Sequence, residues 1–228
     1  MLNYNFFKSQ NDSKQLLVML HGFISDSTTY DSHIEQLSQH VNVLTIYLPS
    51  HGKDTSDMTD TWDFPYIAHA LDEVLSQYDM YDVYLLGYSM GGRVALYYAL
   101  NGSVALRGLL LESTSAGIQS EADKVERVQV DAARAKVLEI AGLEIFVNDW
   151  EKLPLFRSQY ELDAEVRKAI RANRMSQNPV RLAKALRDYG TGNMPNLWPH
   201  VSSLSVRTLS LTGENDEKFV QIVQKLNE

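Results

Sequence analysis

Short apolar runs recur along this chain between longer stretches in which apolar residues return every three or four positions. The runs at 16–20 (LLVML), 43–48 (VLTIYL), 83–86 (VYLL), 106–111 (LRGLLL) and 206–211 (VRTLSL) have strand length, and an opening strand at 2–7 (LNYNFF) is a weaker signal. Such nearly continuous apolar character predicts strands covered on both faces. Helical periodicity fills 30–39, 64–78, 90–100 and 217–226. The resulting order of strand, turn and helix predicts an α/β fold, a mostly parallel sheet with helices on both faces. Between 114 and 205 the strand signal stops, and helices are expected at 121–138, 143–150, 163–174 and 179–189, with breaks at Gly142, Pro154 and Pro179. The expected organisation is a core of residues 1–113 and 206–228 with a helical cap, 114–205, inserted over the strand ends.

The run at 83–86 leads into Gly87-Tyr88-Ser89-Met90-Gly91, a G-x-S-x-G pentapeptide followed by a helical stretch. Strand, tight turn and helix are the setting in which this pattern presents a nucleophilic serine, with small residues where a Cβ would clash. Ser89 is therefore the candidate nucleophile. It gains power from donors aimed at a developing oxyanion. The Met90 N–H, opening the helix, is one such donor, and the Phe23 N–H, in Leu20-His21-Gly22-Phe23 after an earlier strand, is the other. His21 is expected to order that loop by hydrogen bonding rather than to serve as the base.

Composition narrows the chemistry. With 228 residues there is length for one sizeable core, and the absence of cysteine removes disulfides, thiolate metal sites and a cysteine nucleophile together. A formal net charge of −8 without a basic stripe argues against nucleic acid as a partner. No run reaches the roughly eighteen apolar residues of a membrane span, and the first residues lack a signal-peptide plan, so a cytoplasmic protein with no membrane partner is expected. No metal or cofactor is expected, and the chain is predicted to be a monomer or weak homo-oligomer.

Through "LHGF", "YLPSHGKD", "LLGYSMGGRVAL" and "LTGENDEKF" the chain resembles the α/β-hydrolase superfamily from its first strand to its end. The resemblance implies an acid on the loop after a late strand. Asp216 fits, with Glu214 as the alternative, and a plain acidic turn capping the helix from Glu217 also stays open. In that superfamily the order is serine, acid, histidine, yet none of the six histidines, His21, His33, His40, His51, His69 and His200, follows Asp216. The expectation is a chain truncated before a final strand and a histidine loop. It would have negligible turnover and an unprotected apolar edge at 206–211.

Within the superfamily, Gly87 to Arg93, the surroundings of Glu126-Arg127, the stretch Trp150 to Phe156 and the stretch Gly213 to Phe219 are similar to the 2-succinyl-6-hydroxy-2,4-cyclohexadiene-1-carboxylate synthases of menaquinone biosynthesis. That likeness implies a lyase: the activated serine takes a ring proton and pyruvate leaves, with no water consumed. It also implies a small-molecule polycarboxylate substrate, which an acidic protein must hold with fixed arginines. Arg93 lies one helical turn beyond Ser89. Arg127 and Arg174 match the pattern in the cap, with Arg171 as the alternative, and Tyr88 and Trp150 are candidates to pack on the substrate ring. A serine ester or thioester hydrolase and a non-catalytic ligand-binding remnant are the competing readings. Where hydrolase relatives usually carry aspartate and glycine this chain has Tyr47 and Ser50, and strain is expected at Ser50.

Overall fold

A chain that alternates strand and helix must cross back over its sheet after each strand, so neighbours in the sheet are not neighbours in sequence. A computed structural model of the protein describes residues 1–226. Its strands are β1 (Tyr4–Phe7), β2 (Gln15–Leu20), β3 (Asn42–Ile46), β4 (Asp82–Tyr88), β5 (Leu106–Glu112) and β6 (Thr208–Leu211). They form one sheet in the order β1-β3-β2-β4-β5-β6, parallel throughout except for the antiparallel β1. Leu20 stands opposite Ile46 on one side and Gly87 on the other, so β2, β3 and β4 end level and their loops open at one edge of the sheet.

Between the strands run α1 (Asp31–Ser38), α2 (Phe64–Leu75) and α3 (Met90–Asn101), and α8 (Glu217–Leu226) follows β6. Leu16, Val18 and Leu20 point to the face packed by Leu71 and Val74 of α2 and Val94 and Ala95 of α3. Met19 and Val43 face the other way, against Ile34 and Leu37 of α1. Burial on both faces, expected for every inner strand, holds for β3, which is buried at all five positions. It does not hold for β4, whose residues alternate between buried and half-open. On the face where Met19 and Val43 lie, α1 is the covering helix, and Leu86 of β4 stands at the margin of its cluster. Beyond it Leu209 and Leu211 of β6 are 52% and 47% exposed.

Four helices lie between β5 and β6: α4 (Glu121–Ile140), α5 (Gly142–Trp150), α6 (Ala164–Met175) and α7 (Pro179–Tyr189). Ser120 caps α4 by accepting from the Asp123 N–H, and Asn178 caps α7 ahead of Pro179. Ala135, Leu138, Phe146, Val147, Leu182 and Leu186 bury one another and enclose Ile24 from the loop after β2. Polar bonds add to that seam. Gln177 donates to Asp26 at 3.0 Å and accepts from the Gly52 N–H at 2.9 Å, while Arg181 donates to Asp54 at 2.6 Å.

Several boundaries differ from the sequence reading. The last strand begins at Thr208 rather than 206, and the third ends at Ile46 although Tyr47 and Leu48 remain buried. The helix from 64 gives way after Leu75 to a tight turn, Ser76–Tyr78. Pro154–Glu161 and Trp198–Ser203 form 3-10 segments that periodicity did not reveal. Among the described residues no helix is long and apolar enough to cross a membrane.

Candidate active site

Backbone strain concentrates at one end of the sheet. Ile24, Ser50, Ser89 and Ser113 all have positive φ, at 56°, 82°, 51° and 47°, and they follow β2, β3, β4 and β5 respectively. For a β-branched residue such as Ile24 this conformation is a true outlier, and such strain, about 1–3 kcal/mol per residue, gathers where a structure holds a working site. The crevice beyond the carboxyl ends of parallel strands is also where α/β proteins bind ligands.

Ser89 is the sharp bend between β4 and α3. Its N–H donates to the Glu112 carbonyl at 2.8 Å, and its own carbonyl accepts from Thr114 Oγ1 at 2.8 Å. Glycine is required at 91, because a Cβ there would strike the Leu20 and His21 carbonyl oxygens. That contact brings the start of α3 against the loop after β2. A Cβ placed on Gly22 would meet the Tyr88 ring at 2.9 Å and lie 3.8 Å from Ser89 Cβ, so the candidate donor loop and the serine are adjacent. Among the described residues neither the Phe23 N–H nor the Met90 N–H is taken up by another group.

Two buried imidazoles hold that loop. His21 accepts from the Leu48 N–H at 3.1 Å through Nε2, which leaves the proton on Nδ1, 2.8 Å from the Gly22 carbonyl. His51 likewise accepts from the Ile24 N–H at 3.1 Å, with Nδ1 3.0 Å from the Pro49 carbonyl. Burial pulls the first down to about 4 and the second to about 3, with His21 further depressing His51, so both rings are neutral at neutral pH. His21 thus orders its loop, in line with the sequence reading. The equal role of His51 lay outside it. Ser50 carries the expected strain, with its N–H donating to Asp54 at 2.8 Å and its hydroxyl 2.8 Å from His51 Nδ1. Tyr47 is buried and its hydroxyl accepts from Asn5 at 3.2 Å.

The start of α3 and the cap helices carry guanidiniums and aromatic rings. Arg93 donates to Thr191 of the cap, and burial and the neighbouring Arg127 bring its pKa down to about 10, against the pull of Asp131, leaving it charged. Arg127 donates through Nε to Asp131 at 2.9 Å, and Arg134 approaches the same carboxylate at 3.7 Å. Arg174 is buried, donating to Glu151 at 3.0 Å and Gln159 at 2.9 Å with Phe156 4.8 Å from its guanidinium. Arg171 reaches Glu151 from the more exposed side. Trp150 stacks on Phe146 at 5.5 Å and meets the edge of Phe23 at 5.4 Å, and its buried Nε1–H has no acceptor among the described residues. Tyr88 is half-buried. Burial, with help from Glu112 and Asp216, lifts its phenol above the ordinary range while Arg174 opposes them. Arg174 and Asp216 are therefore both within electrostatic reach of the residue beside Ser89.

Asp216 sits at the head of α8, accepting from the Phe219 N–H at 3.2 Å, and Glu214 is exposed. His200 is exposed in its 3-10 turn. Among the described residues no histidine bonds Ser89 or Asp216. The sequence reading missed Asp131, Arg134 and Glu151. The first two carried a signal, since 127, 131 and 134 share one helical face. As a set, the residues offer a serine on a strained turn, two backbone N–H groups in the adjoining turns without an acceptor among the described residues, and a group of arginines and aromatic rings in the cap and at the start of α3.

Residues 17–226 match the alpha/beta hydrolase family. A 2-succinyl-6-hydroxy-2,4-cyclohexadiene-1-carboxylate synthase from Salmonella agona (strain SL483) is 33% identical over 210 residues, covering 92% of this chain and 81% of that protein. One of the same description from Shigella sonnei (strain Ss046) is 30% identical over the same length and the same shares. The solved structure of MenH from S. aureus is 57% identical, superimposes with a TM-score of 0.98, and covers 99% of this chain and 85% of that one. A thermophilic esterase from Thermogutta terrifontis, 23% identical with a TM-score of 0.81, shares the fold.

Proposed function

This chain belongs to the alpha/beta hydrolase family, and we propose that within it the protein is a lyase of the 2-succinyl-6-hydroxy-2,4-cyclohexadiene-1-carboxylate synthase type. The reaction is an elimination: a base removes a ring proton, the electron pair moves into the ring, and the C–O bond to an enolpyruvyl group breaks. Pyruvate leaves, and no water is consumed.

The observation that carries this reading is the set of arginines around the serine. A pocket for neutral acyl chains has no use for a surplus of guanidiniums, and Arg93, Arg127 and Arg134 share the single carboxylate of Asp131, an excess that an anionic ligand answers. Arg93 rises from the helix that begins at Ser89, Arg127 and Arg174 come from the cap, and all three fit carboxylates that arginine grips through paired N–H groups. Tyr88 and Trp150 supply ring faces and donors for a cyclohexadiene. The Phe23 and Met90 N–H groups are placed for an oxyanion as it develops on the departing or enolised carbonyl. Asp216 is the acid in this reading.

An alcohol is a weak base until a neighbouring group takes its proton. His21 and His51 are occupied in their loops, and none of the others bonds Ser89. In this reading the arginines, Tyr88 and Trp150 bind and orient the substrate around Ser89.

The test pairs binding with product. 2-Succinylbenzoate, the dehydrated aromatic form of the product dianion, should raise the melting temperature. The enolpyruvyl cyclohexene substrate should release pyruvate, detected with lactate dehydrogenase, and Ser89→Ala should abolish that release. Ester or thioester turnover without pyruvate, together with no response to the dianion, would reject the assignment.

A further inference from the structure

We propose that Asp131 is a positioning residue: it holds Arg127 by the Nε edge so that the opposite edge of the guanidinium stays free for a substrate carboxylate. This rests on the lyase reading above. Three observations carry it. Asp131 is fixed from behind: only 3% of its side chain is exposed, the Gly192 N–H points at Oδ2 at 3.4 Å, and a Cβ on Gly190 would lie 2.8 Å from that oxygen. Arg127, by contrast, is one-third exposed and tied through Nε alone, at 2.9 Å. Finally, Arg93 and Arg134 press on Arg127 with like charge, and Asp131 is the carboxylate that pairs with Arg127 and approaches Arg134.

A bond through Nε differs from the usual forked clasp. It leaves the two Nη groups together, at the geometry that matches a carboxylate edge to edge. Without the Asp131 charge, repulsion from two neighbouring guanidiniums drives the most accessible of the three out to solvent, and the fork is lost. Three guanidiniums against one carboxylate also leave a surplus of two positive charges, the complement of a dianion.

The experiment is a double-mutant cycle on the full 228-residue chain, with the dissociation constant of 2-succinylbenzoate measured by titration calorimetry. Asp131→Asn should weaken binding about tenfold, as expected for the loss of a charge-assisted bond. In an Arg127→Ala background the same change should do nothing, because the residue acts through Arg127. Arg127→Lys should bind as weakly as Arg127→Ala, since an ammonium cannot serve Asp131 and ligand on separate edges. Additive losses, or full binding by Arg127→Lys, would overturn the inference while leaving the lyase reading intact. Failure of the unmutated chain to bind the dianion would overturn both. Should Asp131→Asn not fold, the lysine variant decides alone.

Discussion

The two buried imidazoles make acid stability a quantitative test of how the loops are held. Their pKa values fall from 6.5 to about 4 for His21 and about 3 for His51, with burial the leading cause in each. The unfolded chain takes up a proton on each ring below 6.5 and the folded chain does not. Acidification therefore favours unfolding: the stability is fully present above 6.5 and drains away as the pH falls toward the folded values. Each group contributes about 1.4 kcal/mol per pH unit, so the pair removes about 2.7 kcal/mol per unit between 6.5 and 4. Against a total of about 5–15 kcal/mol for a domain, that slope alone brings unfolding into the mildly acid range.

His51→Gln isolates one half of it, because the glutamine Oε1 can take the place of Nε2 in accepting from Ile24. At neutral pH the variant should be less stable by about 1–3 kcal/mol, the usual cost of a degraded buried hydrogen bond. On acidification it should lose ground at half the rate, so its deficit shrinks by about 2.7 kcal/mol between pH 6.5 and 4.5 and the two curves meet or cross. Urea unfolding followed by tryptophan fluorescence measures this, and taking the difference between the two proteins cancels every other titrating group. Parallel curves across that range would refute the account of His51 as a neutral, desolvated acceptor.

Further substitutions probe the other contacts. Gly91→Ala should cost more than about 4 kcal/mol, seen as loss of soluble folded protein, because two backbone carbonyls stand where the new methyl must go. Arg181→Met leaves the 1%-exposed Asp54 side chain without its cation and should cost about 3–5 kcal/mol, or roughly 10 °C in Tm by thermal melt. Arg187→Met, which breaks an exposed pair with Glu139, should cost under about 1 kcal/mol in the same assay, and equal losses would contradict the burial argument.

What the sequence disclosed was local. A bend coded by Gly87, Ser89 and Gly91 is legible because its demands fall within five residues, and the cap helices are legible because each carries its own periodicity and its own stop. The arginines 93, 127 and 174 were chosen by resemblance to the family pattern, and the structure bonds Arg93 to Thr191, Arg127 to Asp131 and Arg174 to Glu151. The partners that fix them were harder to see. Glu151 meets Arg174 across 23 residues and His51 meets Ile24 across 27, and no local rule connects such pairs. Asp131 was within reach of helical spacing, but a carboxylate in a charged row reads as a solvated face until its burial is known. The sheet's half-covered side was misjudged for a related reason: an apolar run records what a strand prefers, whereas coverage depends on which helices pack over it.

The peptide at residue 23 is held from behind, by neighbours that reach the chain on either side of it, and its own ring packs edge-on against one of them, His51. Exchanging the phenyl group for another shape would therefore alter two things at once, the wall shared with Trp150 and Phe146 and the packing of His51. One side chain thus couples the aromatic wall of the cap to the imidazole behind the main chain, and a lineage that reshapes the first also disturbs the second.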